Sequence, residues 1–277
     1  MKSAVKLWSG KTVQLIQYRG KPHTIWYEGE RRVLRVAKGN NFEEQKEIAK
    51  KITEQESQIS KEKAANIHLP EIAKDLLEQV GFEARKSEYV DAKSGVSARM
   101  SITAFENLYS TAERRLLITQ DEKTSIRMTD FLGIIPAING KIELVYEGEQ
   151  EGANEVSFHL ISMSIKTLFP KYFPKIEKLE KPNEVGPYDE VLEWFFKDNE
   201  LFFEDDLNEK EYCETLDNLT GLSKIVKKYL PDLDKKDYYF MMEFILWGLE
   251  SHQKLNKLRR LEGIYFKDSL GSFINRL

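Results

Sequence analysis

Along the first 40 or so positions, hydrophobic residues come in short β-prone runs; after Asn41 they recur every three or four residues. The early runs are Val13-Gln14-Leu15-Ile16, Thr24 to Tyr27, and Val33-Leu34-Arg35-Val36. Arg19-Gly20-Lys21-Pro22 and Glu28-Gly29-Glu30 stand between them and have turn composition. The pattern predicts a three-stranded antiparallel meander over residues 1–40. Three strands with one apolar face are marginal alone, so this sheet is expected to pack on the rest of the chain or on a partner.

From Phe42 to about Lys63, Ile48, Ile52 and Ile59 fall on one helical face, with Asn40 or Asn41 as the cap. Pro70 opens a second helix to about Tyr89, with Ile72, Leu76, Leu77, Val80 and Phe82 on its apolar side. Gly81 inside that helix costs about 1 kcal/mol against Ala, so a close packing contact is expected there. The stretch Lys93 to Arg115 then begins with a glycine-containing turn and runs as a helix to about Leu117. Its expected buried face is Ile102, Phe105, Tyr109, Ala112 and Leu116, while Glu106, Glu113, Arg114 and Arg115 fall mostly off it.

Downstream, Thr129-Asp130 starts a helix reading TDFLGIIPAI, in which Pro136 marks an end or a kink. Lys141 to Tyr146 is β-prone, Glu147 to Gly152 has the composition of an exposed acidic loop, and Ala153 to Phe169 is helical. A linker rich in lysine, glutamate and proline follows from Tyr172 to Pro187. Beyond it the helical stretches are Tyr188–Phe196, Asn208–Leu219, Leu222–Tyr229 and one long segment from Lys235 to about Arg260. The tail from Ile264 carries Tyr265, Phe266, Leu270, Phe273 and Ile274 and is expected to dock. The fold class is thus mainly α (α+β): a small meander over 1–40, a helical region over 41–175 and a second helical region over 176–277.

Composition narrows the function classes. A formal charge of −4 argues against a strongly electrostatic nucleic-acid binder, although a local basic patch stays compatible with it. Cys213 is the single cysteine, which excludes an internal disulfide and suits a reducing compartment. No apolar run approaches the roughly 20 residues that span a bilayer, and MKSAVKLWSGK lacks the apolar core of a secretory signal. No membrane association and a cytoplasmic location are expected.

Candidate chemistry is sparse. Ser9-Gly10-Lys11-Thr12 resembles the tail of a phosphate-binding loop, but the glycine that the motif needs five positions before Gly10 is Val5. It is expected to be a turn between strands. His23, His68, His159 and His252 are scattered without ligand spacing, so no metal site is expected. Cys213 lies in a charged helical pattern without a catalytic signature. Glu147, Glu149 and Glu151 do not follow a calcium loop, and they and Glu204-Asp205-Asp206 are expected to be solvated runs. Arg19, Arg31, Arg32, Arg35 and Lys38 with Tyr18, Trp26 and Tyr27 make the meander basic and aromatic. Such residues contact phosphates and stack bases, yet a small aromatic core with solubilising charges accounts for them more simply. Arg99, ahead of the Lys93–Arg115 helix, is open to two roles: an anion contact, or an ion pair with Glu106 or an acid on the preceding helix.

A resemblance covers about five-sixths of the chain. ITEQESQIS at 52–60, FEARKSEYVDAKSGVSARMSITAFENLYSTAERR at 82–115, TDFLGIIPAINGKIELVYEGEQEG at 129–152, LFPKYFP at 168–174 and GIYFKDSLGSF at 263–273 look like the C-terminal half of bacterial magnesium-chelatase-like AAA+ ATPases. The first 40 residues do not resemble that family. The resemblance implies that 41–175 is an AAA+ lid and that Arg99, in Ser97-Ala98-Arg99, is the "sensor 2" arginine that meets the γ-phosphate. The family's phosphate loop and acidic magnesium-binding strand do not occur here, so no stand-alone ATP hydrolysis, no catalytic residue and no metal ligand are expected. The implied function is a non-catalytic lid and C-terminal module working by protein–protein contacts in a nucleotide-dependent assembly. Its partner would be an AAA+ ATPase subunit or a second copy, and ATP and magnesium would enter only with a partner's core. Two alternatives stay open: Arg99 acting in trans in an atypical ATPase half-site, and a nucleic-acid adaptor using Arg19, Arg31, Arg32 and Arg35.

Overall fold

The computed structural model describes residues 3–6, 12–18, 21–28, 31–33, 42–94, 96–176 and 186–269. They fall into two compact units, Met1–Glu56 and Ser57–Leu277, and the architecture is mainly α (α+β).

The first unit is an antiparallel meander of four strands, β1 (Ser3–Lys6), β2 (Thr12–Tyr18), β3 (Lys21–Glu28) and β4 (Arg31–Val33), followed by helix α1 (Phe42–Glu56). Its register aligns Val5, Val13, Trp26 and Val33 in one row across all four strands. Tyr18 pairs with Lys21 and Glu28 with Arg31, so Lys21, Pro22 and Glu28, expected in turns, are strand residues, while Arg19-Gly20 and Gly29-Glu30 lie outside the described residues. The first strand, β1, was not expected, because SAVK is too short to show a period.

The second unit opens with α2 (Lys61–Asn66), whose first turn is capped by the Ser60 hydroxyl accepting from Lys63 N at 3.2 Å. The single helix expected to run to Lys63 therefore breaks after Glu56 and restarts under a new cap. Strand β5 (Ile67–His68) leads into α3 (Glu71–Ala84), and α4 (Ala98–Thr119) follows. Ser97 caps α4, and Gln120, at φ 58°, closes it in the left-handed conformation. Strand β6 (Thr124–Ser125) pairs in parallel with β5.

The TDFLGIIPAI stretch is not one α-helix. It is a 3-10 turn over Met128–Ile134 that passes into α5 (Ile135–Asn139), with Pro136 in the first turn of α5. A proline lacks an N–H where a helix start has no use for one, so here it begins a helix. Lys141–Tyr146 forms no strand; its one ladder contact is an isolated bridge between Val90 and Leu144. The expected acidic loop is instead helix α6 (Tyr146–Glu151), in contact along Gly148 with the carbonyl of Tyr89, where a Cβ would come within 2.5 Å. Helix α7 (Ala153–Tyr172) follows and carries Pro170 in its last turn.

After α8 (Asp189–Phe196) come β7 (Leu201–Glu204), α9 (Glu209–Asp217), α10 (Thr220–Tyr229) and α11 (Tyr238–Ser251). The segment expected as one helix to Arg260 stops at Ser251. Gln253 turns the backbone at φ 62°, and β8 (Leu255–Arg260) and β9 (Gly263–Asp268) return as a hairpin. With β7 they make a sheet of order β7-β9-β8. The expected docking of the tail holds for Tyr265 and Phe266; Leu270, Phe273 and Ile274 lie outside the described residues.

Helix α11 is apolar on every side, and all but three of its residues are buried. A helix without a polar face belongs at the centre of a core. Phe169 of α7 stacks on Phe244 of α11 with ring centroids 5.7 Å apart and also meets Tyr188 at 5.9 Å. One continuous core runs from Ile67 to Phe266. Among the described residues no helix is long and apolar enough to cross a membrane.

Candidate functional site

Helix α4 carries a charged group at each end. At its start, Arg99 is exposed, and its N–H donates to the Ser97 hydroxyl at 3.2 Å. Its guanidinium has no partner among the described residues. The alternative pairing is already taken up elsewhere: the Glu106 carboxylate accepts from Gln58 N at 2.8 Å. On α3, Glu78 accepts from the Ser101 hydroxyl at 3.1 Å, and Glu83 accepts from Gln79 at 2.6 Å and Thr167 at 3.1 Å.

Arg85, at the end of α3, reaches the residues ahead of Arg99. Arg85 donates to the carbonyls of Gly81 at 2.9 Å and Val96 at 3.4 Å. Burial lowers the pKa of this guanidinium, with Glu78 opposing that effect. A Cβ on Gly81 would crowd Arg85, Met100 and Ser101 at 3.3–3.4 Å, which is the close contact expected of that glycine. The Asp91 carboxylate accepts from Lys93 N at 2.8 Å and the Ser94 hydroxyl at 3.0 Å, and these bonds hold it below the usual carboxylate range.

At the other end of α4, Arg115 lies buried, contrary to its expected place off the apolar face. The deepest line of the helix runs through Met100, Ala104, Leu108 and Ala112 to Arg115, one position to the side of the expected stripe. Its guanidinium makes a two-pronged ion pair with Asp130 and donates to the Ser125 carbonyl at 2.8 Å. Burial alone would lower its pKa, but Asp130 outweighs burial and the pKa is raised. The same carboxylate accepts from Arg127 N at 2.8 Å and so caps the 3-10 turn.

Arg127 extends the network into the C-terminal helices. It donates to Leu207 O at 2.9 Å and to Glu209 at 3.2 Å, and its guanidinium lies 4.1 Å from the Tyr212 ring centre. The Tyr212 hydroxyl donates to Glu243 at 2.7 Å. Glu243, fully buried, also accepts from Met128 N at 2.9 Å, Thr129 N at 3.0 Å and the Trp247 indole at 3.2 Å. Burial raises the pKa of Glu243, and burial with the Glu243 charge beside it raises that of Tyr212 further. This cluster was not legible, since its members are spread from 115 to 247 and each reads locally as an ordinary surface charge.

The remaining candidates sit apart. His68 bonds Asp237 at 2.5 Å, His159 meets the Tyr89 ring edge-on, and the His252 ring contacts the Gly248 carbonyl. Among the described residues no group of three or more His, Cys, Asp or Glu side chains is placed to hold a metal. Cys213 is half-buried on α9, and burial pushes its thiol up to about 11. Glu147, Glu149 and Glu151 are exposed on α6. Asp205 and Asp206, expected as part of a solvated run, instead pair with Arg259 at 2.5 Å and Arg114 at 2.7 Å. Arg31 and Arg32 belong to β4, while Arg19 and Arg35 lie outside the described residues. Thr12 begins strand β2, so Ser9-Gly10-Lys11-Thr12 leads into a strand and not into the helix that a phosphate loop requires.

Compared with known proteins, the chain matches no family model, no curated protein and no solved structure.

Proposed function

We propose that this chain is a lid and C-terminal module of a magnesium-chelatase-like AAA+ system, working in the cytoplasm through protein–protein contacts in a nucleotide-dependent assembly. The single observation that carries the proposal is Arg99. It is exposed at the capped start of a 22-residue helix, has no partner among the described residues, and follows Val96, whose carbonyl accepts from Arg85 at 3.4 Å. A guanidinium addresses phosphate oxygens with two parallel hydrogen bonds and keeps its charge at any physiological pH. One without a partner among the described residues, at a capped helix start, suits an anion brought by another molecule, here the γ-phosphate on a partner ATPase subunit or a second copy.

The phosphate-loop tail leads into a strand, and no metal-holding group occurs among the described residues. In this proposal ATP and magnesium come with the partner. An ATP titration of the isolated chain should show no micromolar binding; micromolar binding lost in Arg99→Ala would overturn the non-catalytic role. With a partner ATPase, the chain should raise the hydrolysis rate and Arg99→Ala should abolish the gain.

A further inference from the structure

A cleft of about 260 Å³ opens between the C-terminal part of α4, the 3-10 turn and strand β8. Three arginines line it: Arg114 and Arg115 from α4, and Arg259 from β8. The acids in its lining are Asp130 and Asp205, and Asp206 pairs with Arg114, so each of the three arginines is matched by one carboxylate. Arginine in groups of this kind is the usual means of gripping a planar or tetrahedral oxyanion, because its fork of donors matches two oxygens at once.

Two further features separate this cleft from an ordinary salt-bridged surface. Arg115 is buried, held by Asp130 and Ser125, yet its Nε has no hydrogen-bond partner among the described residues. A buried charged donor left without an acceptor is costly and rare in folded proteins. The outer arginines, in contrast, are neutralised by pairs open to water. Arg114 and Asp206 are 62% and 39% exposed, and Arg259 and Asp205 are 46% and 35% exposed. The single-contact Arg114–Asp206 pair is weak and opens readily, whereas the two-pronged Arg259–Asp205 pair holds more firmly. The inner cation is therefore fixed, and the outer two are held by carboxylates that an incoming anion can replace.

We propose that this cleft is an oxyanion site that takes a phosphate group, with Arg114 and Arg259 releasing Asp206 and Asp205 to close on it. Arg99 lies 15 residues earlier on the same helix, about 22 Å away at 1.5 Å per residue. The two sites are thus separate, and this one stands whether or not Arg99 meets a nucleotide. Asp205 and Asp206 act as built-in competing anions, which occupy the two outer arginines in the absence of a ligand.

The test is a calorimetric titration of the full chain with inorganic phosphate and with pyrophosphate at constant ionic strength. Saturable binding is expected. Arg114→Ala and Arg259→Ala should each weaken it by about tenfold or more, as expected for losing a charge-assisted contact. Asp205→Asn should tighten it, and Arg99→Ala should leave it unchanged. All four positions are exposed or half-exposed, and unchanged melting temperatures would show that the variants fold. Absence of saturable binding, or binding indifferent to the Arg114→Ala Arg259→Ala double variant, would overturn the proposal. Malonate binding as tightly as phosphate would overturn the phosphate assignment.

Discussion

Glu243 is fully buried with two backbone N–H groups, an indole and a phenol directed at its two oxygens. Each oxygen takes two donors, so Glu243→Gln would turn an amide NH₂ against a pair of groups that also donate. A lost buried bond costs the desolvation of the group left bare, and two such groups predict a loss of about 2–4 kcal/mol by urea denaturation. Arg115→Met should cost about 3–5 kcal/mol, because it strands the Asp130 carboxylate in the core. Cys213 makes a separate prediction. Its thiol is raised from 9 to about 11 by burial, so at pH 8 its thiolate fraction is about 100-fold below that of the unfolded chain. Its labelling by Ellman's reagent should be correspondingly slow until urea is added. The folded state holds this proton more tightly, so the group's stabilising contribution is complete below pH 9 and is lost as pH rises towards 11.

Between elements, the contact of α4 with the 3-10 turn depends on a missing side chain. A Cβ on Gly133 would lie 2.0 Å from the Thr111 hydroxyl oxygen. Gly133→Ala should cost about 1–3 kcal/mol through overpacking, and a Thr111→Ala background should recover most of it. A double-mutant cycle on urea midpoints measures that coupling. This contact also shows where periodicity in the sequence stops being informative. The α3, α4, α7, α9 and α10 helices are legible because apolar residues repeat at 3.6 and the caps Ser97 and Asn208 stand at their starts. The end of α11 is not, since the turn at Gln253 uses a left-handed conformation without glycine, and Leu255 prolongs the apolar spacing by coincidence. Arg115 fails for another reason. A charged side chain is assigned to solvent unless its partner is known, and Asp130 is 15 residues away across a loop. Arg99 was legible as a residue at a helix start, with its anion contact and its ion pair left open; the cleft of Arg114, Arg115 and Arg259 was not, because β8 had been read as helix.

At the scale of the molecule, composition divides the chain differently from packing. The run of lysine, glutamate and proline up to Pro187 has the character of a linker, yet the helices on its two sides share one core. Phe169, before it, packs on Tyr188, Phe244 and His252 after it, and the Tyr188 hydroxyl donates to the Pro174 carbonyl at 2.5 Å. A Cβ on Gly248 would come within 2.2 Å of the Phe169 ring, so α7 and α11 meet at the distance that only glycine permits. The polar network crosses the same boundary, since Met128 and Thr129 depend on Glu243 and Arg127 depends on Glu209. Cooperative unfolding follows when neither side can keep its buried groups satisfied without the other. A fragment spanning Ser57–Leu277 should therefore melt in a single calorimetric transition, with matching calorimetric and van't Hoff enthalpies. A fragment ending at Lys175 would expose the apolar face of α7 and leave the N–H groups of Met128 and Thr129 without Glu243. It should lack a cooperative melt and bind a hydrophobic dye. Two resolved transitions in the longer fragment, or a cooperative melt in the shorter one, would show that the linker divides two independent domains.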